Sequence, residues 1–161
     1  MTALAVDVRT ATRDDAATIA AHRVAMFADM GELGSDAIAD ELRFASVAAL
    51  YSALADGSYA GWLACDASGT IIRGAGVHVK PHLPRETNDG RVAAGPVPLV
   101  VNVYTQPGWR GCGVARVLMA ALMDWSRKQG FDRVVLHASD AGLPLYEKIG
   151  FKPTNEIGWT P

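Results

Sequence analysis

Residues 6–12, VDVRTAT, alternate apolar and polar side chains with a period of two, as expected of a half-buried strand. Beyond them Ala16, Ile19, Ala20, Val24 and Phe27 recur at spacings of three and four, which predicts an amphipathic helix with Thr12 or Asp14 as its N-cap. GELGS, residues 31–35, breaks that period. Ser35 or Asp36 opens a second helix over roughly 36–55, stopped by Gly57. YAGWLACD and TIIRGAGVHVK follow as two extended runs on either side of ASG, residues 67–69, and predict an antiparallel hairpin. The segment 81–98 carries four prolines, two glycines and an Asn-Asp-Gly cluster, which suits a substrate loop. LVVNVYT, residues 99–105, is a nearly unbroken β-rich run of the kind found in central strands. A turn then leads into a helix ending at Lys128, Gln129 and Gly130. RVVLHAS (133–139) is predicted as a further buried strand, AGLPLYEKIG (141–150) as a short helix and FKPTNEIGW (151–159) as a last extended piece. Strand, turn, helix and strand in this order make a parallel βαβ unit with a right-handed crossover.

Within WRGCGVARVLMAALMDW, Val114, Leu118, Ala121, Leu122 and Trp125 form one apolar stripe, so that face packs on the sheet and the helix N-terminus emerges where strand 99–105 ends. The first amides of a helix have no partner within it and lie at the positive end of its dipole. Gly111 and Gly113 let an anion approach those amides and let the backbone turn in ways closed to other residues, while Arg110 adds positive charge nearby. Two readings fit: a cradle for a phosphate-bearing ligand, or a plain tight turn. The two familiar nucleotide fingerprints are missing, since GCGVA lacks the third glycine of GxGxxG and no GxxxxGK[ST] occurs.

Bulk properties narrow the field. A chain of 161 residues with 50% hydrophobic and 20% charged residues suits a single globular domain spanning 1–161. No apolar run reaches the ~20 residues of a membrane span, and the N-terminus does not read as a secretory signal, so a cytoplasmic location without membrane association is expected. Two cysteines, Cys65 and Cys112, are too few for a disulfide scaffold and have no zinc-like spacing, so reduced thiols and no metal are expected. The net charge of −2 argues against nucleic acid as a partner. Its distribution is uneven: residues 1–60 hold nine acids against four arginines, and the remainder has a basic excess of three. That asymmetry suits a cationic substrate on one side and an anionic ligand on the other, although ordinary solvated faces would give the same totals.

LVVNVYTQP followed by WRGCGVARVLMAAL resembles motif A of the GNAT superfamily of N-acetyltransferases, whose core [Q/R]xxGx[G/A] is matched by Arg110, Gly113 and Ala115. SDAGLPLYEKIGF, residues 139–151, is similar to the superfamily's motif B, where a tyrosine in LYEKxGF closes the site. The two motifs stand in the right order, separated by a helix and a strand; the N-terminal half matches only in its order of elements. The resemblance implies an α/β fold with a mixed, strongly bent sheet of six to seven strands and about four helices, its central strands 99–105 and 133–139 splayed. Acetyl-coenzyme A would enter the gap. Main-chain groups near Val103 and Thr105 would pair with the pantetheine, and the amides of Gly111, Cys112, Gly113, Val114, Ala115 and Arg116 would hold the pyrophosphate. Ser139, where relatives often have asparagine, would offer a hydroxyl. Tyr146 would protonate the leaving thiolate, as a phenol of unperturbed pKa ~10 can at neutral pH.

The resemblance assigns no general base, because Asn102 and His137 stand where many relatives have a carboxylate. Glu32, His78, His82, His137 and Asp140 are the titratable candidates, and an ordered water is an equal one. Each also has an ordinary reading: a solvated loop for Glu32 and His82, hydrogen-bonded sheet histidines for His78 and His137, a helix cap for Asp140. The expected activity is acetyl transfer from acetyl-coenzyme A to a primary amine of a small molecule or peptide. A catalytically weak acetyl-coenzyme A-binding sensor is the alternative, and transfer of a longer acyl group or to a hydroxyl is a third. Members of the family often dimerise, so a homodimer is possible.

Overall fold

The computed structural model of the protein describes residues 6–154, 159 and 160. Along the chain come β1 (Asp7–Thr10), α1 (Ala16–Asp29), α2 (Asp36–Asp56), β2 (Tyr59–Cys65), β3 (Ile71–Lys80), β4 (Arg85–Glu86), β5 (Val92–Ala93), β6 (Val97–Thr105), α3 (Val114–Lys128), β7 (Val135–Leu136) and α4 (Leu143–Lys148). Five strands form one mixed sheet in the order β1-β2-β3-β6-β7, and β4 pairs with β5 in a separate hairpin. Among the described residues only β6 and β7 run parallel, joined through α3. Among the described residues no helix is long and apolar enough to cross a membrane.

Local chemistry explains most boundaries. Ahead of α1 a 3-10 turn intervenes, and Asp15 rather than Asp14 closes it: its carboxylate accepts the Thr12 N–H at 2.8 Å and a two-pronged contact from Arg9. That guanidinium holds Asp15 down to a pKa of about 2. Ser35 caps α2 by accepting the Ile38 N–H, and Gly57 ends it with a φ of 80°. The hairpin of β2 and β3 turns through Asp66, whose carboxylate accepts the N–H groups of Ser68 and Thr70.

Each face of the sheet covers its own core. On one side α3 inserts Leu118 and Leu122, both fully buried, against Trp62, Ala64, Ile72, Val77 and Val100. On the other, Ala16, Ile19 and Ala20 of α1 and Leu50 of α2 meet Tyr59 and Leu63. Full burial of one such aliphatic side chain contributes about 1.5–3 kcal/mol, so the sheet is held from both sides.

Some sequence expectations need correction. The segment 81–98 is not an open loop, since it holds β4, β5 and the first residues of β6. The strand expected at 133–139 shrinks to two residues, and the helix expected at 141–150 to six. Among the described residues the strands number seven, within the expected six to seven, with β4 and β5 set apart as a hairpin beside the five-stranded mixed sheet. For the extended piece at 151–159, residues 151–154 have no regular structure and residues 155–158 lie outside the described residues.

β6 is irregular at one place, and that place shapes the fold. Gly74 faces Tyr104 and Gly76 faces Val101, so β6 spends an extra residue against β3. Asn102 lies there with a φ of 56°, the one positive value among described non-glycine residues. Its buried side chain fixes the bulge from within: Oδ1 accepts from Arg23 at 2.8 Å, and Nδ2 donates to the Tyr59 hydroxyl at 3.2 Å. Gly76 makes room for that hydroxyl, because a Cβ there would fall 2.0 Å from it.

Candidate active site

Parallel pairing of β6 with β7 covers Leu99 with Val135 and Val100 with Leu136, and stops there. From Val101 to Thr105, among the described residues, β6 has no strand along that edge. This is the expected splay, and its cause is Asn102 redirecting the strand. An exposed strand edge presents main-chain groups that an extended ligand can pair with. Val103 is half-buried along it and Thr105 buried, with the Thr105 carbonyl also accepting from Arg110 Nε at 3.2 Å. Gln106 ties the strand's end to β3, its N–H on the Ile72 carbonyl and its Nε2 on that of Ile71.

The turn between β6 and α3 is built on two left-handed glycines, Gly111 at φ 75° and Gly113 at φ 79°. A Cβ at either would meet nothing within 4 Å, so their role is backbone freedom and an unobstructed approach. Among the described residues, no hydrogen bond uses the N–H of Gly111, Cys112, Gly113, Val114 or Ala115; the first donor is Arg116, whose N–H reaches the Gly113 carbonyl at 3.0 Å. Five consecutive unpaired amides at the positive end of a fifteen-residue helix fit a diphosphate well. Val114 is buried beneath them, Ala115 half-buried and Arg116 exposed. The Cys112 thiol is exposed and leans on the Arg110 carbonyl at 3.6 Å. Arg110 itself is engaged elsewhere: its guanidinium pairs with Asp29 at the end of α1, so it fastens the turn to that helix.

Tyr146 lies on α4, 8% exposed, with its ring edge-on to Phe151. Burial raises its pKa above the usual phenol value, while the Arg73 guanidinium works in the opposite direction. Ser139 is exposed and occupied in starting α4, its hydroxyl accepting the Gly142 N–H at 3.2 Å. Gly142 is tight, since a Cβ there would stand 3.0 Å from the Tyr146 ring.

The structure does not gather the five expected base candidates. Glu32 is exposed in the turn after α1, and His78 is exposed on β3 opposite Leu99, before the strands part. His82 contacts the Leu83 carbonyl and Arg133. His137 and Asp140 are exposed between β7 and α4. Two residues escaped the sequence reading. His22 on α1 is 7% exposed, its Nδ1 unpartnered, its ring 5.1 Å from that of Tyr104 and its pKa lowered by burial. Its position three after Ile19 on the apolar stripe is the signal that could have found it. Arg73 on β3 is 7% exposed and its Nε lacks a partner; a charged residue inside IIRGAG was the available clue.

Known proteins resemble this chain in sequence and in fold. Residues 27–151 match the profile of the Acetyltransferase (GNAT) family. An aminoglycoside N(6')-acetyltransferase type 1 from Stenotrophomonas maltophilia is 33% identical over 98% of this chain and 93% of its own. A glucosamine 6-phosphate N-acetyltransferase from Trypanosoma brucei brucei is 34% identical over 53% of each chain, so this chain spans about half of that relative's length. Among solved structures, a GCN5-related N-acetyltransferase from Ralstonia eutropha superimposes with a TM-score of 0.84 at 29% identity, covering 97% of this chain and 98% of that one. An acetyltransferase from Clostridium acetobutylicum, solved with acetyl-CoA, reaches 0.80 at 25% identity, covering 97% and 96%. With the family profile matched over residues 27–151 and a relative 33% identical along nearly its whole length, the chain belongs to the GNAT family of N-acetyltransferases.

Proposed function

We propose that the protein transfers the acetyl group of acetyl-coenzyme A to a primary amine of a small cationic molecule, with an amino sugar as the class to test first. The observation that carries this reading is the run of five unpaired amides at residues 111–115, set beside the open edge of β6. Those amides suit the pyrophosphate, and the main chain at Val103 and Thr105 suits the pantetheine, which delivers the thioester towards α4. The amine attacks the carbonyl carbon, the C–S bond breaks, and the sulfur takes the Tyr146 proton. The amine's surplus proton goes to water, and a proton from water restores the phenol. Burial favours the protonated phenol, so the acid is lost as pH rises through the raised pKa of Tyr146, and the acceptor amine must itself be neutral to attack. The acceptor class is supported by near full-length similarity to an aminoglycoside acetyltransferase. Exposed Glu32, Asp36, Asp40 and Glu41 around the start of α2 also favour an approaching cation.

A thiol-release assay over amino sugars, polyamines and peptide amino termini, with the product identified by mass spectrometry, tests this reading. Turnover of at least one small amine is expected. Tyr146→Phe should lower kcat about 100-fold, or ~2.7 kcal/mol, without changing acetyl-coenzyme A affinity. Thermal stabilisation by acetyl-coenzyme A with no turnover on any acceptor would instead identify a binding module.

A further inference from the structure

A buried arginine without a hydrogen bond is costly, since its desolvation is repaid by nothing nearby. Arg73 is such a residue: 7% exposed, near the start of β3, its Nε without a partner and no hydrogen bond formed by its guanidinium among the described residues. Its register places it. Arg73 stands between Ala64 of β2 and Thr105 of β6, and directly opposed residues share a face. Ala64 belongs to the α3 side, so Arg73 lies there too, level with the last residue of the strand that leads into the glycine turn. Tyr146 belongs to the same side.

We infer that Arg73 is a positioning residue for acyl transfer: its buried positive charge faces Tyr146 and stabilises the anion that develops on the phenol and sulfur as the C–S bond breaks. This rests on the acid role proposed above for Tyr146. The chemistry needs such a charge. When the thioester breaks, its electron pair goes to sulfur, and the phenolic proton follows. Negative charge then spreads over two atoms in a place where water cannot spread it further. The apolar side chains clustered with Tyr146, Trp62 and Ala64 from β2 and Val114 and Leu118 from α3, with Phe151 packed against them, carry no charge. The mutual influence of the two groups has the expected sign in each direction. Burial pushes Arg73 down to about 10, and Tyr146 counters it; burial pushes Tyr146 up, and Arg73 counters that. With water largely excluded, the pairing is screened far less than a surface contact.

The test begins without cofactor. Near-ultraviolet absorbance follows tyrosinate formation with pH, and subtraction of Tyr146→Phe isolates the signal of Tyr146. Arg73→Met should raise that titration by ~1 pH unit, whereas Arg73→Lys should leave it within a few tenths. Arg73→Met should also melt at the same or a higher temperature, because it removes an uncompensated buried charge. In the assay with acetyl-coenzyme A, Arg73→Met should lower kcat ~10-fold and move the alkaline limb of the pH profile upward, with coenzyme A affinity within twofold of the parent. Arg73→Gln replaces Arg73→Met if that variant does not fold. An unmoved Tyr146 titration in a folded variant overturns the inference and leaves the acid role of Tyr146 standing. Equal weakening of coenzyme A and acetyl-coenzyme A binding with an unmoved pH limb also overturns it, because the charge would then serve the cofactor's phosphates. Undiminished kcat in Tyr146→Phe removes the acid role and this inference with it.

Discussion

The two halves of β6 behave as different materials. Residues 97–100 are buried, apolar and flanked by strands on both sides around Leu99 and Val100. Residues 101–105 keep β3 on one side and nothing on the other among the described residues, and their surroundings are chemical: His22 against Tyr104, Arg73 opposite Thr105, Arg110 on the Thr105 carbonyl. One residue separates the two regimes. The first half supplies stability through packing; the second gives up a row of ladder hydrogen bonds, and the opening this creates is where ligand backbone can pair. Rigidity in the one is what lets the other stay open, since a strand anchored at Leu99 and Val100 cannot drift back to close the gap.

The largest break comes from the packed half. Leu118→Ala removes a fully buried side chain that clusters with Val77 and Val100, and should cost 2–5 kcal/mol in denaturant unfolding, on the order of large-to-small core changes. Next is the boundary. Asn102→Ala strands the Tyr59 hydroxyl and Arg23 and sets an alanine at a positive φ, so about 2–3 kcal/mol should be lost. Asn102→Gly tolerates the backbone and should recover ~1 kcal/mol of that. Equal losses in the two variants would mean that the backbone conformation at this position is unimportant. In the open half, Gly113→Ala should cost about 1 kcal/mol of stability and weaken acetyl-coenzyme A by ~10-fold in calorimetric titration, because the φ of 79° is unfavourable to alanine.

The smallest effect is a pH dependence. Burial lowers the His22 pKa, so the folded state holds fewer protons than the unfolded chain below pH ~6.5. Stability from this group is therefore present above that pH and lost as pH falls. Unfolding free energies between pH 7 and 5 should decline less in His22→Gln than in the parent, and parallel curves would show that the imidazole is not held neutral.

Much of this was legible in the chain because local chemistry decided it. Ser35 and Gly57 mark the ends of α2, Asp66 to Gly69 turns the hairpin, and the stripe from Val114 to Trp125 with glycines before it announces a helix entered through a glycine turn. Distant partners hid the rest. RVVLHAS reads as a full strand, yet its ladder ends at Leu136 because β6 bends away at a bulge thirty-four residues earlier in the chain. Arg110 looks free for a phosphate until Asp29 is brought beside it. The small hairpin inside 81–98 is knit by Thr87, Asp89 and Arg91, which carry no apolar alternation to announce strands. His22 and Arg73 were visible as letters, but only tertiary contacts bring them to the open half of β6.

The extra residue at Asn102 also changes the parity of the strand. Val100 points towards α3 and Val101 towards α1, yet beyond the bulge Val103 packs on the α3 side while Tyr104 meets His22 of α1. Odd numbers trade places with even ones. Drawing Asn102 into the regular ladder, rather than deleting it, would therefore do more than straighten β6: it would turn Tyr104 towards α3 and Thr105 towards α1, exchanging the side chains that the two halves of the molecule offer one another.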